Sequence, residues 1–236
     1  MKADIHLVLL DVGGPILNED REYEAWDGKI LELIRANGGE IPEEAYREEL
    51  LRAIRRCDPN PRISVLWYFL APDVARFREA VEEFEAFQTR WIQERDRFVV
   101  RPGIEDVLEK LRGRYILALA GNQPPQVGRF LRGSGLLQGF CWALVSGEMG
   151  VHKPHPLFFR MILQGCGGIP PERAVMVGDR LDNDVFPAKL LGMRTVRLLV
   201  GPYRHQEPPT EYHVPDITLD DLRELPAALA ELEGRP

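Results

Sequence analysis

Residues 174–184 read Ala-Val-Met-Val-Gly-Asp-Arg-Leu-Asp-Asn-Asp, an apolar run that stops at Gly178-Asp179 and turns polar up to Asp184. A short continuous apolar run before a glycine turn suits a strand buried on both faces, as in a parallel sheet. Residues Asn183 to Leu191 then read as a helix. The same pattern occurs earlier in the chain. Residues 5–10, Ile-His-Leu-Val-Leu-Leu, end at Asp11 and the turn Gly13-Gly14-Pro15. Tyr115–Ala120 reads as a strand ending at Gly121-Asn122, and Phe140–Val145 and Thr195–Val200 as two more. Helices are expected from Pro102-Gly103 to Leu111, over Pro124–Leu131 and over Pro156–Cys166. In the tail, Val214–Ile217 suits a last strand and Leu219–Leu232 a last helix, after a loop at Gly201–Pro209. Alternating strands and helices specify an α/β fold: a doubly wound parallel sheet, Rossmann-like, with right-handed crossovers.

Residues 18–98 break the alternation. Tyr23, Trp26, Ile30 and Leu33 recur at helical spacing, as do Tyr46, Leu50 and Ile54 after a start at Pro42-Glu43-Glu44. A third helical segment runs over Ile63–Leu70. A fourth opens at Pro72-Asp73 and carries Val74, Phe77, Val81, Phe84, Phe87 and Trp91. These stripes read as the core of a small helical bundle inserted into the α/β chain. The expected division is residues 1–15 and 99–236 for the α/β core and residues 16–98 for the insert.

The composition sets outer bounds. The chain has 236 residues, 44% of them hydrophobic and 28% charged, which is enough apolar material for a sizeable core. A net charge of −7 argues against a nucleic-acid partner. No uninterrupted apolar stretch is long enough for a membrane span, and the first residues lack the features of a secretion signal. Three cysteines, Cys57, Cys141 and Cys166, stand far apart with no zinc spacing. They read as small buried hydrophobes without a disulfide framework, which suggests a reducing, cytoplasmic setting. The sequence sets no oligomeric state.

Open parallel sheets bind ligands beyond the carboxyl ends of their strands. The strands here lead into Asp11, into Gly121-Asn122, and into Gly178-Asp179 with Asp184 close behind; Lys153 stands in the stretch Gly150-Val-His-Lys-Pro154. Carboxylates brought together at one edge repel each other unless a cation joins them. Hard oxygen ligands in a small site favour Mg²⁺. A lysine beside them is a natural counterion for a phosphoryl oxygen. His152, His155 and His6 read as structural, with His155 the one histidine that could substitute as an acid, and Asp182 reads as solvent-facing.

These residues together resemble the haloacid dehalogenase-like hydrolases. Asp11 after an apolar strand with Gly14 following resembles the first motif of that family. Lys153-Pro154 resembles the third, and the stretch from Gly178-Asp179 to Asn183-Asp184 the fourth, in the acidic form of its phosphatases. The helical insert is similar to the family's cap domain. The resemblance implies a Mg²⁺-dependent phosphatase of a small soluble phosphate ester. In that family's chemistry Asp11 would be the nucleophile, forming an aspartyl phosphate, and a metal ligand. Asp179, Asp184 and the Gly13 carbonyl would complete the metal site. Lys153 would steady Asp11 and the phosphoryl oxygens, and Gly121 and Asn122 would offer amide donors to the substrate.

Three positions depart from the family pattern. Its phosphatases carry a second aspartate, the general acid and base, where this chain has Gly13; a threonine where it has Pro15; and a hydroxyl residue where it has Gly121. Losing a general acid typically costs about 10² to 10⁴ in rate, and losing an oxyanion-type donor about 10² to 10³. The departures keep a non-catalytic phosphoryl-binding or regulatory relative as the alternative. A 2-haloacid dehalogenase would use the same aspartate without metal, and the paired acids of the fourth motif argue against it. A phosphonate hydrolase would need a cap lysine for a Schiff base, where the insert has only Lys29.

Overall fold

The computed structural model describes residues 4–38, 41–94 and 98–234. It forms two compact units. One comprises Met1–Asn18, Phe98–Arg204 and Thr210–Pro236, and the other Glu19–Arg97 with His205–Pro209.

The first unit is the α/β part. Its strands in chain order are β1 (Leu7–Leu10), β2 (Leu17–Asn18), β3 (Val99–Val100), β4 (Ile116–Leu119), β5 (Phe140–Trp142), β6 (Ala174–Gly178), β7 (Arg194–Leu198) and β8 (Ile217–Leu219). Six of them form one sheet in the order β5-β4-β1-β6-β7-β8, with every pairing parallel. The order reverses at β1: the chain goes to β4 on one side and to β6 on the other. That switch point opens a crevice at the carboxyl end of β1. Leu10 pairs with Leu119 of β4 and Val177 of β6, so Asp11 emerges level with the residues leaving both neighbours.

Alternation along the strands sorts the two faces. Val8, Leu10, Leu117, Leu119, Val175 and Val177 join one buried cluster, and Leu7, Leu9, Ala118, Ala120, Ala174 and Met176 the other. Both faces are dry, which is why these strands read as unbroken apolar runs and not as alternating ones.

The second unit is helical: α1 (Asp20–Gly38), α2 (Glu43–Arg55), α3 (Pro61–Leu70) and α4 (Val74–Glu94). Ile30, Leu33, Tyr46, Leu50, Ile54, Val65, Leu66 and Phe84 are buried, so the helical spacing marks real core positions. The stripe on α4 is shallower than its sequence suggests, because Val74 is exposed and Phe77, Val81, Phe87 and Trp91 are only half-buried. Residues His205–Pro209, expected as part of a loop in the α/β core, pack with this unit: Glu207 N–H donates to the Arg55 carbonyl at 3.0 Å.

The remaining helices belong to the first unit: α5 (Ile104–Leu111), α6 (Pro125–Gly133), α7 (Ser146–Met149), α8 (Pro156–Gly165), α9 (Phe186–Leu190) and α10 (Leu225–Gly234). Several expectations need correction. β2 and β3 form a two-residue antiparallel ribbon that a sequence period cannot mark. The expected strand Phe140–Val145 stops at Trp142, and α7 begins after a short break. The last strand is Ile217–Leu219, later than Val214–Ile217, because Leu219 pairs with Leu198. Cys141 and Cys166 are joined in a disulfide with Cα atoms 5.5 Å apart, so the reading of all three cysteines as unpaired is wrong. They lie on β5 and at the end of α8, which the crossover brings together. Cys57 lies outside the disulfide and is buried, as expected. Among the described residues no helix is long and apolar enough to cross a membrane.

Candidate active site

Asp11 leaves β1 with its backbone tied to the next strand, N–H donating to the Val177 carbonyl at 2.8 Å. Its Oδ1 accepts from Val12 N–H at 2.7 Å and from Lys153 Nζ at 2.9 Å, and these two bonds fix the rotation of the carboxylate. Burial pushes the Asp11 carboxyl up to about 7, with the neighbouring Asp184 adding to the rise and Lys153 opposing it.

Lys153 lies between two carboxylates, 2.9 Å from Asp11 and 2.6 Å from Asp184, and its side chain is 1% exposed. Burial alone would depress its pKa, but Asp11 and Asp184 outweigh it and hold the ammonium above its ordinary value. Asn122 positions this lysine from behind. Its Nδ2 donates to the Lys153 carbonyl at 2.9 Å, and its Oδ1 accepts from Lys153 N–H at 2.8 Å. The Asn122 side-chain amide, expected to face substrate, is thus engaged in holding a loop.

Asp184, expected near the start of a helix, sits instead inside a wide turn, Leu181–Val185, ahead of α9, in which Val185 N–H reaches back to the Arg180 carbonyl. Turns of this π type recur at functional sites because they redirect one side chain out of helical register. Here the turn folds Asp184 back over β6, where Oδ2 accepts from Arg180 N–H at 3.0 Å. Gly178 makes room for it: a Cβ there would lie 2.2 Å from Asp184 Oδ2. Asp182 is not solvent-facing. It pairs with Arg180 at 2.5 Å and its side chain is largely buried.

Asp11, Asp179 and Asp184 are all buried, and ligand oxygens from the three lie within 4.8 Å of one another. This donor set fits a hard divalent cation: all-oxygen, anionic, and closed off from bulk water.

The loop after Asp11 is built on backbone bonds. Ile16 and Leu17 N–H both donate to the Val12 carbonyl, and Gly14 N–H donates to the Leu17 carbonyl. Arg101 Nε donates to the Gly14 carbonyl, a contact that the sequence reading missed and that no motif announces. Gly14 has φ of 84°, in the left-handed region, and a Cβ there would touch Asp179 at 3.0 Å. Gly13 is buried beside it and is not among the glycines with positive φ. Gly121 is buried at the end of β4, and a Cβ on it would lie 2.4 Å from Val12 Cγ2. The hydroxyl side chain missing at Gly121 is thus excluded by the Val12 side chain. His155 is exposed, and its ring accepts from Leu157 N–H at 3.1 Å as the cap of α8.

Lys29 on α1 pairs with Glu32 at 2.8 Å and Glu83 at 2.6 Å. Burial works against its charge, but the two glutamates together outweigh it and hold its pKa above the ordinary lysine value. A Schiff-base lysine needs the opposite shift.

The comparisons with known proteins agree with this geometry. The profile of the haloacid dehalogenase-like hydrolases matches residues 5–192. A phosphoserine phosphatase of Thermus thermophilus is 37% identical over 193 residues, covering 77% of this chain and 75% of that protein. A glyceraldehyde 3-phosphate phosphatase of Methanopyrus kandleri is 42% identical over 98 residues, which spans 42% of each chain. Among solved structures, a haloacid dehalogenase-like phosphatase of Thermococcus onnurineus is 26% identical with a TM-score of 0.57, covering 95% of this chain and 98% of that one. A haloacid dehalogenase-like protein of Agrobacterium tumefaciens shares the fold at a TM-score of 0.70 and 17% identity, covering 97% and 99%. Buried acids at the switch point of a parallel sheet, a lysine bridging two of them, and a profile match over most of the chain give one answer: this protein belongs to the haloacid dehalogenase-like hydrolases.

Proposed function

We propose that the protein is a Mg²⁺-dependent phosphatase that hydrolyses a small soluble phosphate ester through an aspartyl phosphate formed on Asp11. The observation that carries this reading is the convergence of Asp11, Asp179 and Asp184, with a buried Lys153 bridging Asp11 and Asp184. In this reading residues 1–15 and 99–236 are the catalytic core, and residues 16–98 are the cap that selects the substrate.

Asp11, Asp179, Asp184 and the Gly13 carbonyl would hold the metal. The ion supplies positive charge that keeps the carboxylates ionised and offsets the charge on the phosphoryl oxygens. Asp11 attacks phosphorus, the P–O bond to the leaving group breaks, and the alkoxide leaves to take its proton from water. Water then attacks the acyl phosphate, returning Asp11 as carboxylate and releasing inorganic phosphate. Splitting one displacement into two lowers each barrier. Lys153, held charged by Asp11 and Asp184, stabilises the equatorial oxygens in both steps. Asn122 acts through Lys153 by fixing its backbone.

Phosphoserine is the first substrate to try, because the relative of that specificity matches across most of both chains. Glyceraldehyde 3-phosphate is the second. A cytoplasmic location remains part of this reading, although the Cys141–Cys166 disulfide removes the argument from unpaired cysteines that led to it. Gly13 in place of the general acid supports the alternative, a phosphoryl-binding relative without turnover. One experiment separates the two: a screen of small phosphate esters with Mg²⁺, with and without chelator. Phosphate release that disappears with chelator is expected. Binding without release on every ester would leave the non-catalytic reading standing.

A further inference from the structure

The disulfide lies at a break in the sheet. Leu117 of β4 pairs with Phe140 and Ala118 with Trp142, so Cys141 is an extra residue bulged out of the edge strand β5. A bulge re-aims the side chains around it. The effect is visible here, since Phe140 packs against one face cluster of the sheet and Trp142 against the other, although residues two apart on a regular strand share a face. The bulge faces Cys166, which caps the end of α8. Trp142 closes the contact by lying on Gly165, where a Cβ would come within 2.3 Å of its ring. The two cysteines differ in exposure: Cys141 is exposed, whereas Cys166 is 7% exposed within the cluster under α8.

We propose that Cys141 and Cys166 are a reversible dithiol–disulfide pair, worked through the exposed Cys141, that clamps the sheet edge to the rear of the helix following Lys153. Exposure on one side makes the bond open to exchange, unlike a fully buried structural disulfide. Opening begins when an external thiolate attacks Cys141 sulfur. The Cys141–Cys166 bond breaks, and Cys166 leaves as a thiolate and takes up a proton. A second external thiol then attacks the mixed disulfide, releasing the external disulfide and the Cys141 thiolate. Two electrons pass from the two external thiols to the pair. Closing is the reverse, with a small-molecule disulfide as oxidant.

The test uses the full chain, with dithiothreitol and oxidised glutathione as probes. Free thiols are alkylated after denaturation and counted by mass spectrometry, and thermal unfolding is followed in parallel. After oxidised glutathione, Cys57 alone of the three cysteines is expected to react; after dithiothreitol under native conditions, all three. Opening is expected to lower the unfolding midpoint by roughly 5–10 °C, and re-oxidation to restore it. Cys141→Ala should stay at the lower midpoint under both conditions, and Cys57→Ala should respond like the parent. Three reactive thiols under every condition would overturn the pair. So would a bridge that survives native dithiothreitol, or a stable glutathione adduct on Cys141 that never closes.

Discussion

The first and fourth motifs each pair an aspartate with a glycine, yet the two glycines are there for different reasons. At the fourth motif Gly178 is a steric requirement, because Asp184 folds back to where its Cβ would be. Everything around it is closed: Asp184 is 1% exposed and bonded to both Lys153 and Arg180. At the first motif it is Gly14 that the backbone needs, with its φ of 84°, while Gly13 has no such requirement. The half of the site that would hold a cation is built tightly. The half that would supply a proton has Gly13, which is not among the glycines with positive φ, so the left-handed conformation is not what calls for a glycine there. A glycine inside a motif therefore has to be weighed against its own neighbours before it is read as a lost function.

The comparison breaks outright if Asp11 is not the nucleophile. Asp11→Asn is expected to lower turnover by on the order of 10⁴-fold or more, with an unchanged circular dichroism spectrum, because an amide neither attacks phosphorus nor carries charge. A folded variant with near-normal turnover would end the assignment.

The next effect tests the half around Gly13. Without an acid at Gly13 the leaving group departs unprotonated, so turnover should rise steeply as leaving-group pKa falls. Gly13→Asp is expected to help poor leaving groups by up to about 10² to 10⁴ and good ones little. A parent rate already independent of leaving-group pKa would show that another residue donates the proton. His155 is a poor candidate, being exposed and occupied as a helix cap.

Gly178→Ala sharpens the contrast from the tight half. The added methyl must displace Asp184, and so the bond to Lys153. Stability is expected to fall by about 3 kcal/mol. Mg²⁺ affinity, measured by calorimetry, should fall more than tenfold. An alanine variant with parental stability and affinity would mean that the turn around Asp184 is loose.

The smallest effect is in pH. The Asp11 carboxyl is raised to about 7 in the metal-free chain, chiefly by burial. An acid with a raised pKa in the folded state gives full stability below the ordinary carboxylate value. That stability declines as pH climbs to about 7. Mg²⁺ needs the ionised form, so its affinity should fall by about tenfold per pH unit below 7 and level off above. The rise in unfolding midpoint on adding Mg²⁺ should therefore grow with pH up to about 7. A flat profile from pH 5 to 8 would remove Asp11 from the metal site.

The α/β architecture and the strand-end positions of Asp11, Gly121 and Asp179 were legible in the chain alone. Strands dry on both faces leave continuous apolar runs, and the residue that ends such a run stands at the carboxyl edge of the sheet. Helical stripes marked the insert for the same local reason. What the sequence could not show is what depends on residues far apart in it. Cys141 meets Cys166 only because a crossover returns α8 to the edge strand. Val12 fills the place of a side chain on Gly121, more than a hundred residues away. Asn122 turns its amide onto the Lys153 backbone, and Arg101 reaches the Gly14 carbonyl. Even Asp184, close in sequence to Asp179, owes its burial to a turn of unusual pitch that no periodicity announces. Period and polarity are properties of neighbours along the chain, and they determined the fold; partners across the fold meet only when the sheet is assembled, and they decided how the site is held.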